Sequence, residues 1–167
     1  LFADIVQSTA LIDELDDPEE AMGRLGPGVD TILRCCEEFG ANVTFTGDGA
    51  RAVFGYPRAD EDHVVKAVDC ACTLVGRVAA LASDRVDIRV GLHTGEVLVG
   101  HVRHRGSIEL TFSGLVLHVA RKIEEGARPN VVTVSQQVID AVGCMFRHEP
   151  IEAALPTRAG AMALYEV

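Results

Sequence analysis

Leu1-Phe2-Ala3-Asp4-Ile5-Val6-Gln7-Ser8-Thr9 and Thr46-Gly47-Asp48-Gly49 decide how this chain reads. Each sets one aspartate at the end of an apolar, strand-like run beside a turn of small residues. Two such carboxylates on adjacent strands form a site for hard divalent cations, and through them for nucleotide phosphates. Taken singly, Asp4 merely ends a strand and Asp48 fills an Asp-Gly turn, as Asp does often. Their order and topology together favour the metal site. The turn Val6-Gln7-Ser8-Thr9 also leads into a helix start, whose free backbone N–H groups and dipole suit phosphate.

Outward from these two stretches the pattern alternates between strands and helices. Leu1–Val6 reads as a strand, and Ser8 as the cap of a helical turn carrying Leu11, Ile12 and Leu15. Asp17-Pro18-Glu19-Glu20 is a helix start with Asp17 as N-cap and Pro18 at the first position. Gly23, Gly26, Pro27 and Gly28 predict an interruption. The stripe Val29, Ile32, Leu33, Cys36 then resumes the helix up to Gly40.

Asn42–Thr46 and Ala50–Phe54 form a hairpin across Gly47-Asp48-Gly49. Asp60-Glu61-Asp62 opens a helix to about Ala82, with Asp62, Lys66, Asp69, Thr73 and Arg77 on one polar face. Val86–His93 and Val97–Val102 flank Thr94-Gly95-Glu96 as a second strand pair. Glu109–Ser113 is a strand, Gly114–Glu125 a helix, Val131–Val134 a strand, and Ser135–Val142 a short helix. Phe146–Pro150 and Met162–Val167 close as strands. The order implies an α+β fold: a ferredoxin-like βαββαβ sheet, helices packed on one face, and additional C-terminal α/β elements.

With 167 residues, 48% of them apolar, the chain reads as one domain, 1–167, able to bury a core. The net charge of −10 argues against general binding to nucleic acid or to an anionic membrane surface. The apolar run Val64 to Ala82 is broken by Lys66, Asp69 and Arg77, so it reads as a buried-face helix and not a membrane span. The opening inside a strand reads as a domain taken from a longer chain. Five cysteines (Cys35, Cys36, Cys70, Cys72, Cys144) form no CxxC pair and read as buried free thiols in a reducing cytoplasm.

Several pieces, in order, resemble one family. They are Phe2-Ala3-Asp4-Ile5-Val6-x-Ser8-Thr9; Gly47-Asp48-Gly49-Ala50-x-Ala52-Val53-Phe54-Gly55; Glu61-Asp62; Arg89-Val90-Gly91-Leu92-His93-Thr94-Gly95-Glu96-Val97; and the terminal strands of Phe146 and Tyr165. Together they resemble the class III nucleotidyl cyclases, the adenylate and guanylate cyclase catalytic domains. Phe54-Gly55-Tyr56-Pro57 is similar to the bacterial branch related to soluble, bicarbonate-responsive cyclases. The resemblance implies Asp4 and Asp48 as ligands of two Mg²⁺ or Mn²⁺ ions, helped by the Ile5 carbonyl. It implies attack of a ribose 3′-oxygen on the α-phosphate, giving pyrophosphate and a cyclic monophosphate, with ATP to cyclic AMP as the lineage reaction. Val6, Gln7, Ser8 and Thr9 would face the phosphates.

At the base and transition-state end the resemblance departs from the family pattern. The base-selecting lysine is Thr44, and the second base-contact position is Thr111. A helical Asn and, four residues on, an Arg are replaced by His118 and Lys122. His118 can still hydrogen-bond a ribose. Lys122 keeps the charge and loses the planar two-pronged grip of Arg on phosphoryl oxygens. Arginine fingers contribute about 10³–10⁵ in rate, so low activity is expected of a homodimer. Arg121 points about 100° away from Lys122 on a helix, and all three side chains also fit a solvated helix face.

Family members build each site between two domains packed head to tail, so the expected partners are nucleotide and a second cyclase domain, identical or not. A pseudo-cyclase that binds nucleotide without chemistry is the main alternative. A polymerase-palm relative ranks last, because it leaves Arg89–Val97 unexplained. His93 and Glu96 read as structural. His101, Arg103, His104 and Arg105 form a basic loop cluster, and His63 and His148 read as incidental.

Overall fold

The computed structural model describes residues 1–15, 17–81, 86–104, 107–157 and 160–167. One sheet of seven strands organises it, in the order β2 (Asn42–Phe45), β3 (Gly49–Val53), β1 (Phe2–Ile5), β4 (Ile88–Leu92), β7 (Val132–Ser135), β9 (Gly160–Glu166), β8 (Glu149–Thr157). Only β4 and β7 run parallel. A separate antiparallel arm pairs β5 (Leu98–His104) with β6 (Ser107–Ser113). The helices are α1 (Ser8–Glu14), α2 (Pro18–Glu38), α3 (His63–Ala79), α4 (Leu115–Glu125) and α5 (Gln136–Val142).

The α+β reading with its βαββαβ order holds, and four details differ from expectation. The first concerns α2, which runs unbroken through Gly23, Gly26, Pro27 and Gly28. An interior proline costs about 3 kcal/mol. Burying Leu25 and Ile32, at 4% and 0% exposure, returns about 1.5–3 kcal/mol each. The buried stripe therefore outweighs the breakers. Asp17 is the N-cap as expected, accepting from Glu19 N–H at 2.9 Å.

The second difference is that β4 does not pair with β5. Both edges of β4 are taken, by β1 and by β7, so the segment after Thr94 leaves the sheet and folds onto β6. The third concerns helix placement. Ala3, Ile5, Ala50, Ile88 and Val90 point to the face covered by α2 and α3, whereas α4 covers the other face. Gly91 permits this: a Cβ there would lie 2.3 Å from the backbone nitrogen of Glu124. Val119 and Ile123 of α4 join Leu164 of β9 in a second small core. The fourth concerns the thiols, since Cys35, Cys36 and Cys70 are buried but Cys72 and Cys144 are exposed. Ala82, the expected end of α3, lies outside the described residues.

Among the described glycines Gly49 has the closest neighbour: a Cβ there would stand 2.0 Å from the carbonyl oxygen of Ala3. Gly23 in α2 meets nothing within 4 Å. Gly49→Ala is therefore expected to destabilise by about 3 kcal/mol or more. Gly23→Ala should instead stabilise by about 0.5–1 kcal/mol. Urea midpoints of the two variants against the parent check both signs.

Candidate active site

The pairing of β1 with β3 carries the two aspartates together. Asp4 stands opposite Gly49, and Ile5 N–H donates to the Asp48 carbonyl at 3.1 Å. The side chain of Asp48 is held by the buried Ser8, whose Oγ donates to Oδ2 at 2.5 Å. Ser8 was expected to cap α1. The N-cap is Gln7 instead, in the left-handed region at φ 57° with no side-chain bond, which leaves the Ser8 hydroxyl for Asp48. The Val6 amide donates to the Asp87 carbonyl at 2.8 Å, so it is not free for a phosphate.

A third carboxyl, Glu124 of α4, lies against Asp4 and is 3% exposed. Burial, the hydrogen bond with Asp4 and the Asp4 charge push its pKa up to about 8, against a smaller opposing effect of Arg89. Burial also raises Asp4, with Asp48 adding to the rise, while the bond to Glu124 and the nearby Arg89 and Arg121 act the other way. Both carboxyls of the Asp4–Glu124 pair are therefore pushed upward, chiefly by burial.

Among the described residues, five buried side-chain atoms lack any partner: Asp4 Oδ1, Arg51 Nε, Arg89 Nε, Glu124 Oε1 and Thr133 Oγ1. Strand register puts Asp4, Arg51, Arg89 and Thr133 on one face of the sheet, the face Glu124 covers from α4. Unpaired buried polar atoms are rare and call for an ion or ligand. An orphaned Asp4 oxygen beside Asp48 fits a hard cation. Among the described residues no three His, Cys, Asp or Glu side chains converge to hold a metal alone.

The remaining expected residues are spread around this face. Thr44 is exposed on β2 and accepts from Arg51 Nη2 at 3.0 Å. Thr111 sits on β6 opposite Gly100. His118 and Lys122 are exposed on α4, where Lys122 pairs with Glu125 at 2.8 Å and Arg121 reaches the same carboxylate at 3.2 Å. His93 Nδ1 meets Ser135 Oγ at 2.8 Å. His101, Arg103 and His104 belong to β5 and not to a loop, and Arg105 lies outside the described residues. Glu124, Arg89 and Arg51 were not singled out from sequence. Glu124 left a signal: it continues the buried stripe Val116, Val119, Ala120, Ile123, where a charge is out of place.

Comparison with known proteins places the fold. The family model "Adenylate and Guanylate cyclase catalytic domain" matches residues 1–158. Adenylate cyclase 1 of Rhizobium meliloti (strain 1021) is 28% identical over 178 residues, covering 100% of this chain and 27% of that protein. Soluble guanylate cyclase gcy-31 of Caenorhabditis elegans is 28% identical over 143 residues, covering 81% of this chain and 20% of that protein. The chain therefore spans roughly a quarter or less of the length of the curated relatives it matches.

Among solved structures, the guanylate cyclase domain of RhGC from Catenaria anguillulae, in complex with GTP, shares the fold at TM-score 0.86 and 20% identity, covering 99% of this chain and 92% of that one. The adenylyl cyclase CyaB from P. aeruginosa does so at TM-score 0.86 and 18% identity, covering 99% and 90%.

The raised Glu124 pKa fixes a pH dependence. The folded state keeps a proton that the unfolded chain releases above its ordinary value of 4.5. That contribution to stability is complete below this value and is lost as pH rises toward about 8. Without divalent cations, the melting temperature should fall between pH 5 and 8, and Glu124→Gln should flatten the fall. An unchanged slope in Glu124→Gln would place the titration elsewhere.

Proposed function

The chain belongs to the adenylate and guanylate cyclase catalytic domain family, and we propose that it converts ATP to 3′,5′-cyclic AMP and pyrophosphate. The observation that carries this reading is the convergence of Asp4 and Asp48, with a buried Asp4 oxygen still lacking a partner. Asp4, Asp48 and the Ile5 carbonyl would hold Mg²⁺ or Mn²⁺. Two such ions, when bound, activate the attacking oxygen and neutralise triphosphate charge. The Ser8 hydroxyl keeps Asp48 oriented. The segment Gln7 to Thr9 opens α1 beside that carboxylate and faces the phosphates.

His118 is the group assigned to the ribose, and Lys122 to the developing phosphoryl charge. Thr44 and Thr111 stand at the base end. ATP is favoured because the relative aligned over the whole chain is an adenylate cyclase. Leu98, Val99 and Val102 on β5, Leu115 on α4 and Phe45 on β2 are large, apolar and exposed. Exposed apolar side chains of this size support assembly with a second cyclase domain, and a homodimer is the simplest form of it. The assignment to the cytoplasm rests on the unpaired thiols and the nucleotide substrate.

One observation favours a second reading. Glu125 engages both Arg121 and Lys122, so the cation at the transition-state position is partly neutralised. On that reading the domain is a nucleotide-binding pseudo-cyclase, or the metal-donating half of a heterodimeric site.

Cyclic nucleotide formed from ATP and from GTP with Mn²⁺ tests the first reading. Product should fall to background in Asp4→Ala and Asp48→Ala, and ATP should be the better substrate. Metal-dependent nucleotide binding without product would support the second reading. His118→Asn combined with Lys122→Arg is expected to raise turnover about tenfold or more, because the guanidinium restores a two-pronged grip. Equal turnover would mean that His118 and Lys122 already suffice.

A further inference from the structure

Cys36 of α2 and Cys70 of α3 meet where the two helices pack on each other. The Cys70 thiol donates to Cys36 Sγ at 3.9 Å, and Cys35 Sγ donates to the Cys70 carbonyl at 3.8 Å. All three cysteines are free and fully buried, at 0% exposure, in the core that also holds Ala50 and Ala52 of β3. A buried thiol packs as a small apolar side chain, and any one of the three could fill that role alone. Two sulfurs from different helices in mutual contact are in addition a dithiol.

Joining the two sulfurs takes them from 3.9 Å to a bond of about 2.05 Å, roughly 1 Å of travel for each, which rotation about the Cα–Cβ bonds supplies. A small reagent also has a way in. A cavity of about 80 Å³ lies between the sheet, α3 and α4, with His63, His93 and Thr94 among its lining. Leu1, Ala52 and Ala67 line it as well. Leu1 is close enough to Cys36 and Cys70 to feel their charge, and Ala67 stands about one turn of α3 from Cys70. Hydrogen peroxide, uncharged and little larger than water, fits such a space.

We propose that Cys36 and Cys70 form a redox-active dithiol, which hydrogen peroxide converts to a disulfide that pins α2 to α3. This does not depend on the cyclase reading. Cys36 reacts first, because the bond from Cys70 holds its pKa below the ordinary thiol value against the effect of burial. Cys70 is pushed up by that same bond and by burial. The Cys36 thiolate attacks one peroxide oxygen, the O–O bond breaks, and a sulfenic acid forms as hydroxide leaves. The Cys70 sulfur then attacks the Cys36 sulfur, the S–O bond breaks, and a second hydroxide leaves. The two thiol protons and two hydroxides give two waters, and the two electrons lost by sulfur are gained by the peroxide. Cys35 keeps its thiol. The bridge fixes the helical layer on which β1 and β3 rest, and with it the pairing that sets Asp4 opposite Gly49.

The test uses a Cys72→Ser, Cys144→Ser background, which removes the two exposed thiols and leaves the three buried ones. The folded protein is treated with hydrogen peroxide, then unfolded and its thiols titrated. One free thiol of the three is expected to remain, with full recovery after dithiothreitol. Trypsin, cutting after Arg34, Arg51, Lys66 and Arg77, should release segment 35–51 joined to segment 67–77. The oxidised form should melt about 5 °C or more above the reduced form. Adding Cys36→Ala or Cys70→Ala should abolish both the joined segments and the rise. If an alanine variant does not fold, fragmentation of the joined segments carries the test, with Cys36 and not Cys35 bonded to Cys70.

Three thiols still free, under peroxide exposure that fully oxidises Cys72 and Cys144 in the parent, would overturn the proposal. So would a sulfinic or sulfonic acid at Cys36 without a bridge, or a bridge formed through Cys35.

Discussion

The structure depends on how closely the β2–β3 turn approaches β1. At Gly49 the two backbones come together with no room for a side chain, the nearest atom being the carbonyl oxygen of Ala3. That contact lets Ile5 N–H reach the Asp48 carbonyl and sets Asp4 and Asp48 on neighbouring chain segments at one end of the sheet. Spread the strands by the width of a methyl group and both the hydrogen bond and the pairing of carboxylates are lost. Hard-cation chemistry is unforgiving of such a shift, because ligand distances are held within a few tenths of an ångström.

The two faces of the sheet divide the physical work. One buries alanine, isoleucine and valine under α2 and α3 and supplies most of the apolar stabilisation. The other carries Asp4, Arg51 and Arg89, with Glu124 lowered onto it from α4. Its buried polar atoms are incompletely paired. Such a face costs stability in the free protein, as expected where an outside ligand completes the pairing. Gly91 is the hinge of the arrangement, since its missing Cβ lets the backbone of α4 settle close enough to bring Glu124 beside Asp4. Placing local strain and unpaired charge at a functional site, against a well-packed opposite face, is a common division.

Local patterns revealed much of this. Gly47-Asp48-Gly49 between two apolar runs marked the hairpin, and Asp17-Pro18 marked the start of α2, because both signals act within four residues. The supposed break at Gly26-Pro27-Gly28 misled, since propensity there competes with a buried stripe whose partner strands lie elsewhere in the chain. The pairing of β4 with β5 misled for a similar reason: adjacency in sequence favours it, but β1 and β7 occupy both edges of β4. Glu124 was visible only as a charge on an apolar stripe. Arg51 was visible only as one polar residue alternating with buried alanines.

By itself the sequence determined the α+β class, the two aspartates at strand-end turns, and the departures at Thr44, His118 and Lys122 from the pattern it resembles. These are properties of residue identity and short-range spacing. Tertiary structure alone decided that Glu124 lies against Asp4, where burial raises its pKa, and that Arg51 braces on Thr44 and Phe112. These join groups distant in sequence, on different strands and helices. The pairing of Glu125 with Arg121 and Lys122 is local, set by i, i+4 and i, i+3 spacing on α4. Charge, pKa and hydrogen-bond direction follow from through-space distance, and that is settled only when the sheet has closed and α4 has docked on Gly91.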